Sequence, residues 1–300
     1  MIRLSRGRDR AGPVVGLWDL HQKTEAEWRR ILAARPDEAV AWIALAAANG
    51  FKAAQLVFGQ MHLDGTLVVR DPAAAHAWFV KAAAIGSVEA RNMVGRCHEL
   101  GWGVPVDQAI ALLHYRKAAA AGLDWAHYNV GCLLLYGTGV GRNHGEAVAS
   151  FTAAADLGHA KAMGMLGRCH EEGWGTDRDR MAARALYRRA AEGGDGWGAL
   201  NLGLMLVEDG ARAEAIPHLA QAVATATPGG LSAIVDLFER RPEPDLAAIA
   251  AAARARLGEV RARPAASEGG RGSRRIPRRV QGLILAALLA LAVRRIPRSA

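Results

Sequence analysis

Apolar residues recur with a helical spacing through the middle of the chain, and the same spacing returns in five successive segments. In each segment a stripe at i, i+4, i+7 and i+8 is largely apolar, which predicts the buried face of an amphipathic helix. The stripe consists of Ala54, Phe58, Met61, His62; Ala90, Val94, Cys97, His98; Ala126, Val130, Leu133, Leu134; Ala162, Leu166, Cys169, His170; and Gly198, Leu202, Met205, Leu206. Corresponding members lie 36 residues apart. A period of this length predicts a repeat protein built from stacked helix pairs.

A second helix is predicted in each repeat by a polar residue that is suited to begin it. These residues are Asp71, Asp107, Asn143 and Asp179. Each is expected to accept a hydrogen bond from a free backbone N–H of the first turn, which is worth about 1 kcal/mol. One aromatic residue per repeat and a pair of alanines follow on this helix, so close packing against the first helix is predicted.

Glycine occupies one position inside each first helix, at Gly59, Gly95, Gly131, Gly167 and Gly203. Glycine costs roughly 1 kcal/mol relative to alanine at such a position. Its regular recurrence predicts that another backbone passes close to the helix there.

Residues 126–158 combine these features in one stretch, with Ala126, Val130-Gly131, Gly137, Gly139-Val140, Ala147, Phe151, Ala154-Ala155 and Gly158 in register. This pattern resembles the Sel-one-like repeats, a branch of the tetratricopeptide-repeat superfamily. The resemblance implies an all-α, right-handed α-solenoid of stacked antiparallel helix pairs. It also implies an adaptor that assembles protein complexes rather than an enzyme. Secreted members often carry two cysteines per repeat, whereas Cys97, Cys132 and Cys169 occur singly here. A cytoplasmic location is therefore expected.

The predicted domain organisation surrounds this repeat region with shorter segments. It comprises a basic flexible arm (1–12), N-terminal capping helices (13–50), about five repeats (51–226), C-terminal capping helices (227–262), a disordered Arg-rich linker (263–279) and an apolar helix with basic flanks (280–300). The net charge of +9 belongs to residues 261–300, which hold ten arginines and one acidic residue. The repeats are thus not polycationic, and nucleic acid is not the expected partner.

The phrase G-R-C-H-E occurs at 95–99 and again at 167–171, and its chemistry invites a metal interpretation. Adjacent Cys and His lack the spacing of zinc ligands, and copies two repeats apart cannot share one ion. Packing on the buried stripe is the favoured interpretation of both residues. No catalytic constellation, metal site or cofactor site is predicted. Glycines near 137–141 lack the phosphate-loop lysine and fit a turn between helices.

A binding face is predicted on the first helices at i, i+4 and i+7, beside the buried stripe. Its residues are Asn92, Arg96, Glu99; Tyr128, Cys132, Leu135; and Arg168, Glu171. In a superhelix such faces line up into one groove. We hypothesise that this groove binds a protein or peptide segment, with the arginines attracting acidic groups and Tyr128 serving as an apolar anchor. The alternative is an ordinary solvated face. Trp102 and Trp174, in the loops after these helices, are secondary candidates, with packing under the loop the favoured role.

The apolar segment 280–293 leaves three interpretations open. A helix of this length spans about 21 Å, which is short of the ~30 Å hydrocarbon core unless the flanking Arg278, Arg279, Arg294 and Arg295 snorkel. It could instead lie on an anionic membrane surface or on a partner. It could also dock on the solenoid end or be weakly ordered. A membrane-tethered assembly or signalling factor is therefore the alternative function.

Overall fold

The computed structural model describes residues 25–137, 139–241, 243–262 and Gly282, and the regular secondary structure of these residues is α-helical. The helices are α1 (Glu25–Ala34), α2 (Pro36–Ala48), α3 (Lys52–Asp64), α4 (Pro72–Ala84), α5 (Val88–Leu100), α6 (Gln108–Ala119), α7 (Asp124–Tyr136), α8 (His144–Asp156), α9 (Ala160–Glu172), α10 (Arg180–Glu192), α11 (Gly196–Glu208), α12 (Arg212–Thr225), α13 (Pro228–Phe238) and α14 (Pro244–Ala262). The described residues divide into two compact units, with residues 25–121 in unit 1 and residues 122–262 in unit 2. The predicted all-α repeat fold is confirmed.

The second helix of each 36-residue repeat begins at the predicted capping residue. The side chains of Asp71, Asp107 and Asp179 each accept a hydrogen bond of 2.9 Å from a backbone N–H three residues on. Asn143 does the same at 3.1 Å. These bonds satisfy N–H groups that have no partner within the helix, so local sequence alone sets where the helix starts.

The two helices of a repeat run antiparallel, as α3 and α4 illustrate. The backbone N–H of Asp71, which precedes α4, donates to the carbonyl of His62 near the end of α3 at 2.8 Å. Farther along, Gly59 of α3 lies against Ala75 and Phe79 of α4. Gly65 ends α3 in the left-handed conformation (φ 68°), which a residue with a Cβ rarely adopts.

The glycine inside each first helix makes room for a side chain of the second helix, and at four of the five positions also for the predicted close backbone. A Cβ on Gly59 would lie 2.6 Å from the Phe79 ring, and one on Gly131 would lie 2.6 Å from the Phe151 ring. Gly95 and Gly167 face Tyr115 and Tyr187 in the same way. The pair α11–α12 carries the fifth copy of the repeat in shortened form, with only residues 209–211 between its helices, and Leu219 takes the place of the ring against Gly203. A Cβ on Gly59, Gly95, Gly167 or Gly203 would also lie 3.2–3.5 Å from a backbone carbonyl oxygen of the second helix, so the predicted close backbone is present at these positions.

The predicted stripe forms the core except at its histidines, since His62 is half-buried as well as the two histidines of the G-R-C-H-E motif. Cys97 and Cys169 are fully buried, and burial raises the pKa of each thiol to about 11. His98 and His170 are only half-buried, so the stripe ends before them. All three cysteines are free thiols.

Residues 1–24, 263–281 and 283–300 lie outside the described residues. The predicted basic arm, the Arg-rich linker and the flanking residues Arg278, Arg279, Arg294 and Arg295 therefore stay sequence predictions. Across the helices that are described, none combines the length and apolar composition required to cross a bilayer.

Candidate functional site

An open groove of about 660 Å³ runs across the first helices of unit 2, α7, α9 and α11. Its main walls are Lys161, Met165, Arg168 and Glu172 from α9, and Trp197, Asn201, Leu204 and Glu208 from α11. Both sets repeat at i, i+4, i+7 and i+11, which places each set along one face of its helix. Tyr128 and Tyr136 of α7 line the groove as well, and so does Asp195, which begins α11. We call this surface the unit 2 groove.

The groove lies on the predicted first helices but on a face rotated from the predicted one. The prediction placed Arg168 and Glu171 on the face, whereas the groove row of α9 is centred, around the helix axis, between Lys161 and Glu172. On a helix of 3.6 residues per turn, this is a rotation of roughly 60°. Arg168 belongs to both faces, and Tyr128 and Glu171 also line the groove.

Two predicted binding residues have side chains that are turned away from solvent. Leu135 is 3% exposed and Asn92 is 8% exposed. Neither offers a surface for a partner in this structure, because both lie on the side of their helix that packs against neighbouring helices. Cys132 is half-buried and shares a hydrogen bond with Tyr128.

Two of the predicted residues of unit 1, Arg96 and Trp102, line a second, smaller groove. This groove has a volume of about 430 Å³ and is also lined by Gln60, Asp64 and Arg70. The Arg96 guanidinium stacks over the Trp102 ring at 4.8 Å. The guanidinium of Arg168 stacks over Trp174 at 5.0 Å in unit 2, so the two loop tryptophans hold the two arginines in the same way.

Glu99 and Glu171 are tied to the fold by the aromatic residue of their own repeat. The Tyr115 hydroxyl donates to the Glu99 carboxylate, and the Tyr187 hydroxyl donates to Glu171 at 2.6 Å. Burial, followed by the bond to Glu171, raises the pKa of Tyr187. In the other two repeats the corresponding pairs are Leu63 with Phe79 and Leu135 with Phe151, and these leucines are buried. The four repeats thus alternate between a Glu–Tyr pair and a Leu–Phe pair.

An aromatic stack supports the α7 side of the unit 2 groove. The ring of His159 stacks on Tyr128 at 4.9 Å and meets Trp125 edge-on at 4.4 Å. His159 caps α9, because its Nδ1 accepts a hydrogen bond from the N–H of Ala162 at 3.1 Å. Burial lowers the pKa of His159, which keeps the ring neutral and able to accept this bond. Burial also raises the pKa of Tyr128.

Asp195 occupies the corresponding capping position one repeat later, at the floor of the groove. Its carboxylate accepts from the N–H of Gly198 at 2.8 Å. Burial raises the pKa of Asp195, while this bond opposes the rise. Gly164 leaves the space that the carboxylate needs, since a Cβ there would lie 2.7 Å from Oδ2 of Asp195. Asp195 and His159 are both engaged in starting helices.

Three histidines of unit 1 form a row across α4, α5 and α6. The rings of His76 and His98 lie 5.5 Å apart, and those of His98 and His114 lie 6.1 Å apart. Burial and the charge of neighbouring histidines lower the pKa of His76 and of His114. No group of three or more His, Cys, Asp or Glu side chains with an arrangement suited to a metal ion occurs among the described residues.

The Sel1 repeat family matches this chain at residues 35–51, 52–87, 88–123, 126–159 and 160–195. These segments together cover more than half of the chain. The chain belongs to the Sel1 repeat family. The predicted resemblance is therefore confirmed. The first Sel1 segment contains α2, and the matches end before α11, so the shortened fifth copy is recognised by its packing rather than by the family pattern.

Solved structures of Sel1 repeat proteins share this fold. A Sel1 repeat protein from Oxalobacter formigenes is 22% identical with a TM-score of 0.65, covering 77% of this chain and 99% of its own. The protective antigen c5321 of uropathogenic Escherichia coli, which displays an SLR fold, is 23% identical with a TM-score of 0.57. That alignment covers 84% of this chain and 56% of c5321, so the chain spans little more than half of that protein. A comparison with curated proteins found no match.

Proposed function

We propose that the chain is a non-enzymatic interaction scaffold that binds a segment of a protein partner in the unit 2 groove. Sel1 repeat proteins generally mediate protein–protein interactions, and their fold is typically a non-catalytic scaffold. The observation that carries the proposal is the pair of large apolar side chains left open at the groove. Trp197 is 56% exposed and Tyr136 is 50% exposed, and both line it.

Exposed aromatic side chains in a concave surface are typical of a binding site. They supply large contact areas at a small cost in conformational entropy, and they are enriched among the residues that dominate binding energies. Met165 and Leu204 also line the groove and add apolar surface to it. The groups that could suggest catalysis, His159 and Asp195, are occupied by helix capping, which supports binding rather than turnover.

Photo-crosslinking in the native cell tests the proposal. A benzoylphenylalanine placed at Asn201, in the groove, is expected to capture one recurring partner segment. The same probe at Met181 is the control, because Met181 is 75% exposed on α10 and does not line the groove. Equal capture of the same segment at both positions would refute the proposal.

A double variant of the groove, compared with a control variant outside it, provides a second test of the proposal. Tyr136→Ser combined with Trp197→Ala is expected to abolish capture at Asn201, whereas Met181→Ala should leave it unchanged. Circular dichroism of each variant establishes that the helices are retained. The membrane-tethered alternative depends on residues 278–295, which lie outside the described residues except for Gly282, and it stays a sequence prediction.

A further inference from the structure

The acidic and the basic side chains that line the unit 2 groove differ in the partners they have within the chain. Four carboxylates contribute to it, and each already has a partner within the chain. Glu171 accepts from Tyr187, and Asp195 accepts from the N–H of Gly198. Glu172 lies 3.7 Å from the guanidinium of Arg178, and Glu208 lies 3.0 Å from that of Arg180.

The two cations of the groove have no such partner. Lys161 and Arg168 form no direct ion pair with a carboxylate in the described part of the chain, although the charge of Lys161 acts on the nearby Asp195 and lowers its pKa. The direct partners of both cations are rings. The ammonium of Lys161 lies 5.6 Å from the centre of the Trp125 ring, and Arg168 stacks on Trp174. A ring partner orients a cation but leaves its N–H donors available, so both side chains can still bind a carboxylate.

Because the carboxylates are satisfied and the cations are available, we propose that the segment bound in the unit 2 groove is acidic, with two carboxylates that flank an apolar side chain. This inference rests on the proposed function and specifies the partner. Lys161 and Arg168 are seven residues apart on α9, a separation of about 10 Å along the helix axis. Alternate side chains of an extended peptide face the same way, so carboxylates at i and i+4, about 13 Å apart, can reach the two flexible cations while an apolar side chain at i+2 faces the groove between them. Met165 lies between the two cations and Leu204 lies opposite on α11, so the intervening side chain meets an apolar surface.

The number of available cations argues against a nucleic acid as the occupant. A nucleic acid strand carries a negative phosphate at every nucleotide, whereas the cations that line the groove are Lys161 and Arg168. A peptide with two acidic side chains can place both of them on the cations and keep the rest of its length neutral.

An array of random decapeptides probed with the full chain tests the inference. Bound peptides are expected to be enriched in Asp and Glu, in pairs about four residues apart with an apolar residue midway between them. The double variant Lys161→Gln and Arg168→Gln should weaken binding of the best peptide by about tenfold or more for each charge removed. Arg189→Gln is the matched control, because Arg189 is an exposed cation of α10 outside the groove, and it should bind as the wild type does.

The outcomes separate this inference from the proposed function. If bound peptides lack acidic enrichment, or if the double glutamine variant binds as tightly as the wild type, the acidic partner is refuted. Loss of binding in the Tyr136→Ser and Trp197→Ala variant would then still support a binding groove. Displacement of the best peptide by a single-stranded oligonucleotide at an equal concentration would identify nucleic acid as the occupant and overturn the inference. An array without any bound peptide contradicts both the inference and the proposed function.

Discussion

Replacing Gly131 with alanine should destabilise unit 2, although alanine is the better helix former. The added Cβ would lie 2.6 to 2.9 Å from three atoms of the Phe151 ring, which is fully buried and cannot swing into solvent. Overpacking of this kind costs about 1–3 kcal/mol. The gain in helix propensity offsets roughly 1 kcal/mol of that cost. We therefore expect the free energy of unfolding to fall by up to about 2 kcal/mol.

Gly145 provides the matched control within the same helix pair. A Cβ there would meet only Oδ1 of Asn143, at 3.8 Å, so Gly145→Ala has space and should stabilise the protein by up to about 1 kcal/mol. The same chemical change is thus expected to act with opposite signs at two positions. Urea unfolding followed by circular dichroism at 222 nm measures both.

A smaller residue at position 151 tests the mechanism. Phe151→Val should destabilise the wild type more than it destabilises the Gly131→Ala variant, because the added methyl group occupies part of the space that the ring leaves. The coupling should fall in the range of about 0.5–3 kcal/mol found for residues in contact. Equal effects of Gly131→Ala and Gly145→Ala, or an absence of coupling with position 151, would refute the steric explanation.

Three further predictions concern the pairs, histidines and thiols described above. Tyr187→Phe should lower the free energy of unfolding by about 1.5–3 kcal/mol, because it removes a hydrogen bond to a carboxylate. Adding Glu171→Leu should restore most of this loss, since Leu–Phe is the natural pair in two other repeats; a further loss would contradict the pairing. Stability should decline as pH falls below about 6.5, since the unfolded histidines then bind protons that His76 and His114, with their lowered pKa values, bind less readily. Melting temperatures between pH 7.5 and 5.5 should show a smaller decline in His114→Gln than in the control His127→Gln, and equal declines would refute the role of the row. In the native protein at pH 8, Ellman's reagent should leave Cys97 and Cys169 unmodified, because both are buried and their pKa is raised. Rapid labelling of these thiols without denaturant would contradict the prediction and show that the core exposes them to solvent by local unfolding.

The amino-acid sequence was sufficient to predict the repeat and its local boundaries. The capping residues act within three positions of themselves, so Asp71, Asp107, Asn143 and Asp179 start their helices as predicted. The core stripe depends only on helical periodicity, and its alanines, valines and leucines are buried accordingly. Such interactions are local or repeat every 36 residues, and a sequence displays both directly.

The sequence did not locate the residues that line the unit 2 groove as accurately as it located the repeats. A helical wheel separates a buried stripe from the remainder of the helix, but it does not show how far the neighbouring helices cover that remainder. In α9 the predicted face and the face that lines the groove differ by a rotation of roughly 60°. The prediction therefore omitted Met165 and Glu172, which line the groove. Leu135 was predicted at the surface and is buried for the same reason.

The G-R-C-H-E motif illustrates what the sequence determines and what depends on the tertiary structure. The sequence by itself determined that its glycine and cysteine belong to the helix-pair core, because both recur in register with the apolar stripe. Only the tertiary structure decided the roles of the charged residues: Glu99 and Glu171 are held by Tyr115 and Tyr187, which lie sixteen residues away on the second helix. Tertiary packing places the ring of Trp174 against Arg168, and no carboxylate of the described residues forms an ion pair with it. A hydrogen bond between two helices depends on how they are rotated against each other, and that rotation is a property of packing rather than of periodicity.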